Sequence, residues 1–172
     1  GAPTRSTPIN RFAVRLQADG RSPAFPIYAG TATALPELES AAAGSGAMTF
    51  QADGDGVVRR VPLMIKVGDH QLPSLSAEAI RVFLKQNLYR VDANSRGDVA
   101  QVSIGRIALP TNRRGELWVH YRADMSAQNL PAWQLFEGRP DPRLQGAVVL
   151  VGSSAQGLQD LRFSPLGGML PG

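Results

Sequence analysis

The chain has 172 residues, of which 43% are hydrophobic and 19% charged, the balance of a globular domain rather than a disordered or fibrous chain. Cysteine is absent, which excludes disulfides, cysteine metal sites and thiol catalysis. The formal net charge is +4, but the basic residues are dispersed, with Arg59-Arg60 and Arg113-Arg114 the longest runs. The cationic stripe of a nucleic-acid interface is therefore missing, and no nucleic-acid partner is expected.

No apolar run approaches the roughly 20 residues that span a bilayer, and no signal-peptide pattern is present. The length suits a single domain. Phe12, Val14 and Leu16 alternate with Ala13, Arg15 and Gln17, which predicts a half-buried strand, followed by a turn at Asp19-Gly20. Residues 22–30, "SPAFPIYAG", predict extended or irregular chain, because proline cannot sit in a central strand. Residues 35–44, "LPELESAAAG", predict a short helix. Pro36 suits its first position, Glu37 and Glu39 complement the dipole, and Gly44 suits the stop.

Met48 and Phe50 predict the start of a strand that turns at Asp53-Gly54 and Asp55-Gly56 and returns from Val57 to Val67, a hairpin by turn chemistry. A second turn at Gly68-Asp69 leads through Leu72-Pro73 into a helix over 74–88, with Ser74 as N-cap. Ile80, Phe83, Leu84 and Leu88 are predicted to form its apolar face, with Arg81 and Lys85 off that face. The segment "DANSRGD" predicts a polar loop before short strands at 99–104 and 107–110, which flank a turn at Gly105-Arg106. "TNRRG" leads to a strand over 116–121, Pro131 opens a short helix stopped by Gly138, and "AVVLVG" at 147–152 predicts a strand buried on both faces. The expected fold is α/β or α+β: a mixed β-sheet with several hairpins, one main amphipathic helix, and short helices packed on it.

Candidate chemistry is sparse. "QADGDG" places Asp53, Asp55 and Gly56 at the third, fifth and sixth positions of an EF-hand loop, but the first would be Gln51 and the twelfth Pro62, so calcium is not expected. "GSSAQG" follows an apolar strand as a nucleophile elbow would. Ser154, however, has Gln156 where glycine is required, and both histidines, His70 and His120, lie upstream. A hydrolase using Ser153 or Ser154 is the weaker alternative. No phosphate-loop or dinucleotide fingerprint occurs, although the amides around Gly152, Ser153 and Ser154 offer an anion site if a helix starts there. His70 and His120 lack local ligand sets, so neither a metal nor another cofactor is expected.

Arg59 stands apart. On a regular strand it would share a row with Val57, Val61, Leu63, Ile65 and Val67, while Arg60 points the other way with Lys66. A guanidinium on an apolar row requires a carboxylate, and Asp53, Asp55 and the distant Asp160 are the candidates. A bulge before Pro62 would instead turn Arg59 outward. A structural Arg–Asp pair is favoured over a ligand grip.

Four segments, in order, resemble a known family. Asp53, Asp55, Gly56, Arg59, Pro62 and Leu63 fit a D-x-D-G-v-x-R-x-x-P-L element, and Pro73, Ser74 and Leu75 fit a P-S-L helix start. Pro110, Thr111 and Gly115 fit an i-P-t-x-x-G hairpin, and Val149, Val151, Gly152, Ser153, Asp160 and Pro165 fit a final V-l-v-G-s element with its later D and P. Together these resemble the second type of CHASE domain (cyclases/histidine kinases associated sensory extracellular domain), over about residues 36 to 172. The Y-x-G of that family is replaced by Tyr121-Arg122-Ala123.

The resemblance implies a non-catalytic, extracytoplasmic sensor domain of a bacterial membrane receptor. It would take a small-molecule ligand and signal to a cytoplasmic cyclase or kinase. It also implies that an N-terminal unit and flanking membrane helices lie outside this sequence, and it allows a homodimer or a scaffold without a small ligand.

Overall fold

The computed structural model describes residues 11–18, 20–122, 126–138, 141–152 and 161–171. It falls into two compact units, Gly1–Gln51 with Arg60–Trp118 and Ala52–Arg59 with Val119–Gly172. In chain order the first unit holds β1 (Ala13–Ala18), β2 (Ile27–Tyr28), α1 (Pro36–Ala41), β3 (Arg60–Pro62), β4 (Met64–Val67) and β5 (His70–Pro73). There follow α2 (Leu75–Phe83), β6 (Leu88–Ala93), β7 (Val99–Ile104), β8 (Ile107–Pro110) and β9 (Glu116–Trp118). This mixture of strands with few helices is the α/β or α+β composition expected.

The main sheet has the order β1-β6-β7-β8, with β1 parallel to β6 and the other pairs antiparallel. Its inner face follows the period of two. Tyr89, Val91, Val102 and Ile104 are fully buried, while Arg90 and Ser103, paired across the strands, face the other way. Phe25, Leu63, Met64, Ala77 and Val99 complete the cluster, with Phe12, Val14, Ile80 and Leu84 packed against it. Each large buried apolar side chain contributes roughly 1.5–3 kcal/mol. A second sheet, β2-β4-β5, contains the Gly68-Asp69 hairpin, and Gly68 takes the positive φ of 57° that such a turn requires.

Helix α2 begins as expected, with the Ser74 hydroxyl accepting from the Ala77 amide at 3.3 Å. It ends at Phe83, not at Leu88. Lys85 adopts φ +53°, its amide donates to the Val82 carbonyl, and the Gln86 amide donates to the Arg81 carbonyl, both at 3.0 Å. These two bonds form a Schellman stop with lysine in the left-handed position that glycine usually fills. Leu88 and Tyr89 thereby enter β6, an inner strand where the sequence pattern predicted helix and loop. Because a left-handed non-glycine residue costs about 1–2 kcal/mol, Lys85→Gly is expected to stabilise the chain by up to about 1 kcal/mol after glycine's greater unfolded-state entropy is subtracted. Urea denaturation checks this, and destabilisation would contradict it.

The predicted hairpin over 48–67 does not form. The Asp53–Val57 loop closes as expected, with the Gly56 amide donating to the Asp53 carbonyl at 2.9 Å and the Asp53 amide to the Val57 carbonyl at 3.0 Å. Met48 and Phe50, however, lie in irregular chain, and β3 pairs instead with β9. The predicted strand over 57–67 is interrupted at Leu63, whose amide donates to the Gly115 carbonyl, and Pro62 has no amide with which to continue a ladder. The predicted strand over 116–121 is shortened to β9.

Two loops of the first unit repeat one design. Asn94 Oδ1 accepts from the amides of Arg96 and Asp98, and Asn112 Oδ1 accepts from those of Arg114 and Glu116, all at 2.9–3.0 Å. Gly97 and Gly115 supply the positive φ in each. Asparagine holds both loops because its short amide reaches its own backbone.

The second unit contains α3 (Ala132–Phe136), β10 (Leu161–Ser164) and β11 (Gly168–Pro171), the last two forming an antiparallel hairpin. Pro131 and Gly138 bound α3 as predicted. The segment 147–151 is a correction. It is irregular rather than a buried strand, with Leu150 79% and Val151 94% exposed. Among the described residues no strand pairs with it, and a lone extended segment lacks the ladder partners that make a strand.

Candidate functional site

The sequence candidates divide into two groups. Asp53, Asp55 and Arg59 converge. Arg59 Nη1 donates to Asp53 Oδ2 at 3.0 Å and to Asp55 Oδ1 at 2.9 Å, while Nη2 donates to Asp55 Oδ2 at 2.7 Å. The guanidinium fork thus grips Asp55 through both oxygens. The chain around it is held by the Val119 amide on the Arg59 carbonyl at 2.9 Å and by the Tyr121 hydroxyl on the Val58 carbonyl at 2.6 Å. Arg59 is not on a core-facing row: its side chain is one-third exposed, and the strand begins only at the next residue, Arg60.

Two carboxylates flank the one guanidinium, and Asp53 has a further partner besides it. Both Nη atoms are already engaged by the two carboxylates. The other candidates, Ser153, Ser154 and Asp160, lie outside the described residues. Gly152 is exposed, with nothing within 4 Å of where a side chain would begin.

The Arg59 guanidinium, followed by the Val57 amide, holds the Asp55 carboxyl at about 2, below its ordinary 3.8. A carboxylate depressed on folding contributes stability above its unfolded value and loses it as the pH falls through the folded value. The Asp55 contribution is therefore complete above about pH 4 and lost toward pH 2. A carbon-detected NMR titration is expected to place Asp55 near 2, and higher, toward its ordinary value, in Arg59→Gln, where the Val57 amide still holds it down. An unchanged midpoint in the variant would contradict the pairing.

A buried polar cluster was not visible in the sequence. Glu78 and Arg81 of α2 are 3% and 5% exposed. Arg81 Nε donates to Glu78 Oε2 at 2.8 Å, and its Nη2 donates to Oε1 at 2.7 Å. The Tyr89 hydroxyl donates to the same Oε2 at 2.7 Å. Arg81 Nη1 also donates to the Gln86 carbonyl and Nη2 to that of Ala43, which ties three segments together. Burial, then the bond to Glu78, pushes the Tyr89 phenol far above its ordinary range. The sequence pattern placed Arg81 off the apolar face of the helix. Its i+4 spacing from Ala77, together with Glu78 three residues before it, was the available signal.

A cleft of about 480 Å³ lies where the α2–β6 connection meets the β7–β8 hairpin. Leu84, Leu88, Arg90, Ser103, Arg106 and Ile107 are among the residues lining it. They come from three separated segments with no motif spacing, so sequence reading had no means of grouping them. Among the described residues no three His, Asp or Glu side chains are placed to hold a metal, and no helix is long and apolar enough to cross a membrane.

The CHASE2 domain matches residues 6–172, which includes every segment that carried the resemblance and extends it toward the N-terminus. No curated protein and no solved structure matches the chain. With the match covering nearly the whole sequence, the chain belongs to the CHASE2 domain family, a family of sensory extracellular domains.

Proposed function

We propose that this domain is the extracytoplasmic ligand-sensing module of a bacterial membrane receptor, and that it relays a conformational change to a cytoplasmic cyclase or kinase. The family match over residues 6–172 carries the reading. Membrane helices flanking the domain would anchor it. A ligand shifts such a receptor only through different affinities for two packings of the domain. In this reading the Asp53–Asp55–Arg59 knot braces the fold, and the domain performs no chemistry of its own.

The experiment is a thermal-shift screen of small metabolites on the 172-residue chain, paired with ester, peptide and phosphate hydrolysis assays. A saturable rise in melting temperature without turnover is expected. Turnover abolished by replacing Ser153 and Ser154 would replace the sensor with a hydrolase. Robust self-association, with no shift across a broad library, would replace it with a dimerisation scaffold.

A further inference from the structure

We propose that the cleft beside the β7–β8 hairpin binds a small organic anion, with its carboxylate or phosphate head held by Arg90, Arg106 and Ser103. The inference deepens the sensory reading and rests on it only for the signalling consequence.

Charge placement is the first observation. Arg15 and Arg90 are register partners on adjacent parallel strands, and Arg90 is in turn the register partner of Ser103. Arg106 follows in the turn that ends β7. Like charges side by side on neighbouring strands repel. Among the described residues, the guanidinium groups of Arg15, Arg90 and Arg106 have no ion-pair partner. Asp92, two residues along from Arg90 on the same face, accepts instead from Gln101 at 2.6 Å. Arg59, Arg81 and Arg143 each meet a carboxylate within 3.0 Å. What sets Arg90 and Arg106 apart from other arginines without such a partner among the described residues, such as Arg21, Arg96 and Arg113, is that both line one cleft.

The second observation is independent of charge. Ser103 lines the cleft and is 6% exposed as a residue, and its hydroxyl is not one of the buried polar atoms left without a partner, so it is open to the cleft space. A hydroxyl open to the cleft can donate to or accept from a molecule that enters it.

Shape and lining set the ligand class. The volume, about 480 Å³, lies within the range of small-molecule sites. Leu84, Leu88 and Ile107 give an apolar wall, and Ile107 is 41% exposed. Two guanidinium forks and a hydroxyl suit an oxyanion, and the wall suits an apolar body. The cleft is also tied to the buried cluster, since Arg81 holds the carbonyl of Gln86, itself a lining residue.

The test titrates the 172-residue chain with benzoate, phenyl phosphate, neutral benzamide and inorganic phosphate, followed by amide NMR shifts. Saturable binding of benzoate or phenyl phosphate is expected, with Kd on the order of 1 mM or tighter. Shifts are expected to centre on residues 88–90 and 103–107. Whichever of the two binds identifies the head group, carboxylate or phosphate. Arg90→Gln and Arg106→Gln are each expected to weaken binding about tenfold, the value of one charge-assisted hydrogen bond. Neither substitution removes a described contact, so the melting temperature is not expected to fall, and Arg90→Gln, which relieves the repulsion with Arg15, is expected to raise it slightly.

Several results would overturn the proposal: binding of neither organic anion, equal binding of benzamide, affinity unchanged in both arginine variants, or inorganic phosphate binding as tightly as phenyl phosphate. If a whole receptor keeps its ligand response in both variants, the cleft assignment fails and the sensory reading stands. If the anion binds through both arginines without altering output, the sensory reading fails and the site stands.

Discussion

Replacing Arg81 by alanine is expected to cost about 3–5 kcal/mol of stability, the consequence of leaving a buried carboxylate without its cation. Glu78 is 3% exposed and accepts two hydrogen bonds from the Arg81 fork. Without them it retains only the bond from Tyr89. The same substitution frees the carbonyls of Ala43 and Gln86, which the guanidinium also satisfies. A loss of that size approaches the whole stability of a small domain, roughly 5–15 kcal/mol. The companion variant, Glu78→Gln with Arg81→Met, removes both charges at similar volume and is expected to recover the part of the loss that comes from the unpaired charge. Urea denaturation separates the two cases. A single-variant loss below about 1 kcal/mol would show that the pair is solvated in solution.

Gly46→Ala is expected to cost about 1–3 kcal/mol, the usual effect of forcing extra volume against fixed atoms. A methyl group at Gly46 would press on the Leu75 Cα, 2.7 Å from the Leu75 nitrogen and 2.9 Å from the Ser74 carbonyl carbon. These are backbone atoms of the first turn of α2, so no side chain can swing away. Ala47 is held there by its amide on the Pro73 carbonyl at 2.8 Å, and its carbonyl accepts from the Leu75 amide at 2.9 Å. Gly54→Ala is the control, since nothing lies within 4 Å of that position, and a change within about 0.5 kcal/mol is expected. Equal effects at the two positions would contradict the packing of the 46–47 segment on α2.

What the sequence revealed and concealed follows from the range of each interaction. The Gly68-Asp69 turn, the Ser74 cap and the Gly105-Arg106 turn are settled by neighbours within a few residues, and all three were legible. The end of α2 was also local, but lysine occupied the left-handed position, so the usual glycine signal was absent and β6 was read as helix and loop. Pairing of β3 with β9 joins residues more than 50 positions apart, which turn chemistry at Asp53–Gly56 does not address. The same limit applies to 147–151: its apolarity was correct, but a strand needs a partner that composition does not supply. At the candidate site, Arg59 met Asp53 and Asp55 because they lie within six residues. The cleft, gathered from three segments, left no pattern to read.

The role itself is tested most directly in sealed right-side-out membrane vesicles carrying the whole protein, with the cyclase or kinase output followed inside. A compound that saturates the isolated domain is added to the outer side only. The account predicts that output changes at a half-saturating concentration matching the Kd of the domain, and that the response weakens in Arg90→Gln and Arg106→Gln. Output that responds only after the vesicles are permeabilised, or that ignores a compound the domain demonstrably binds, would contradict it.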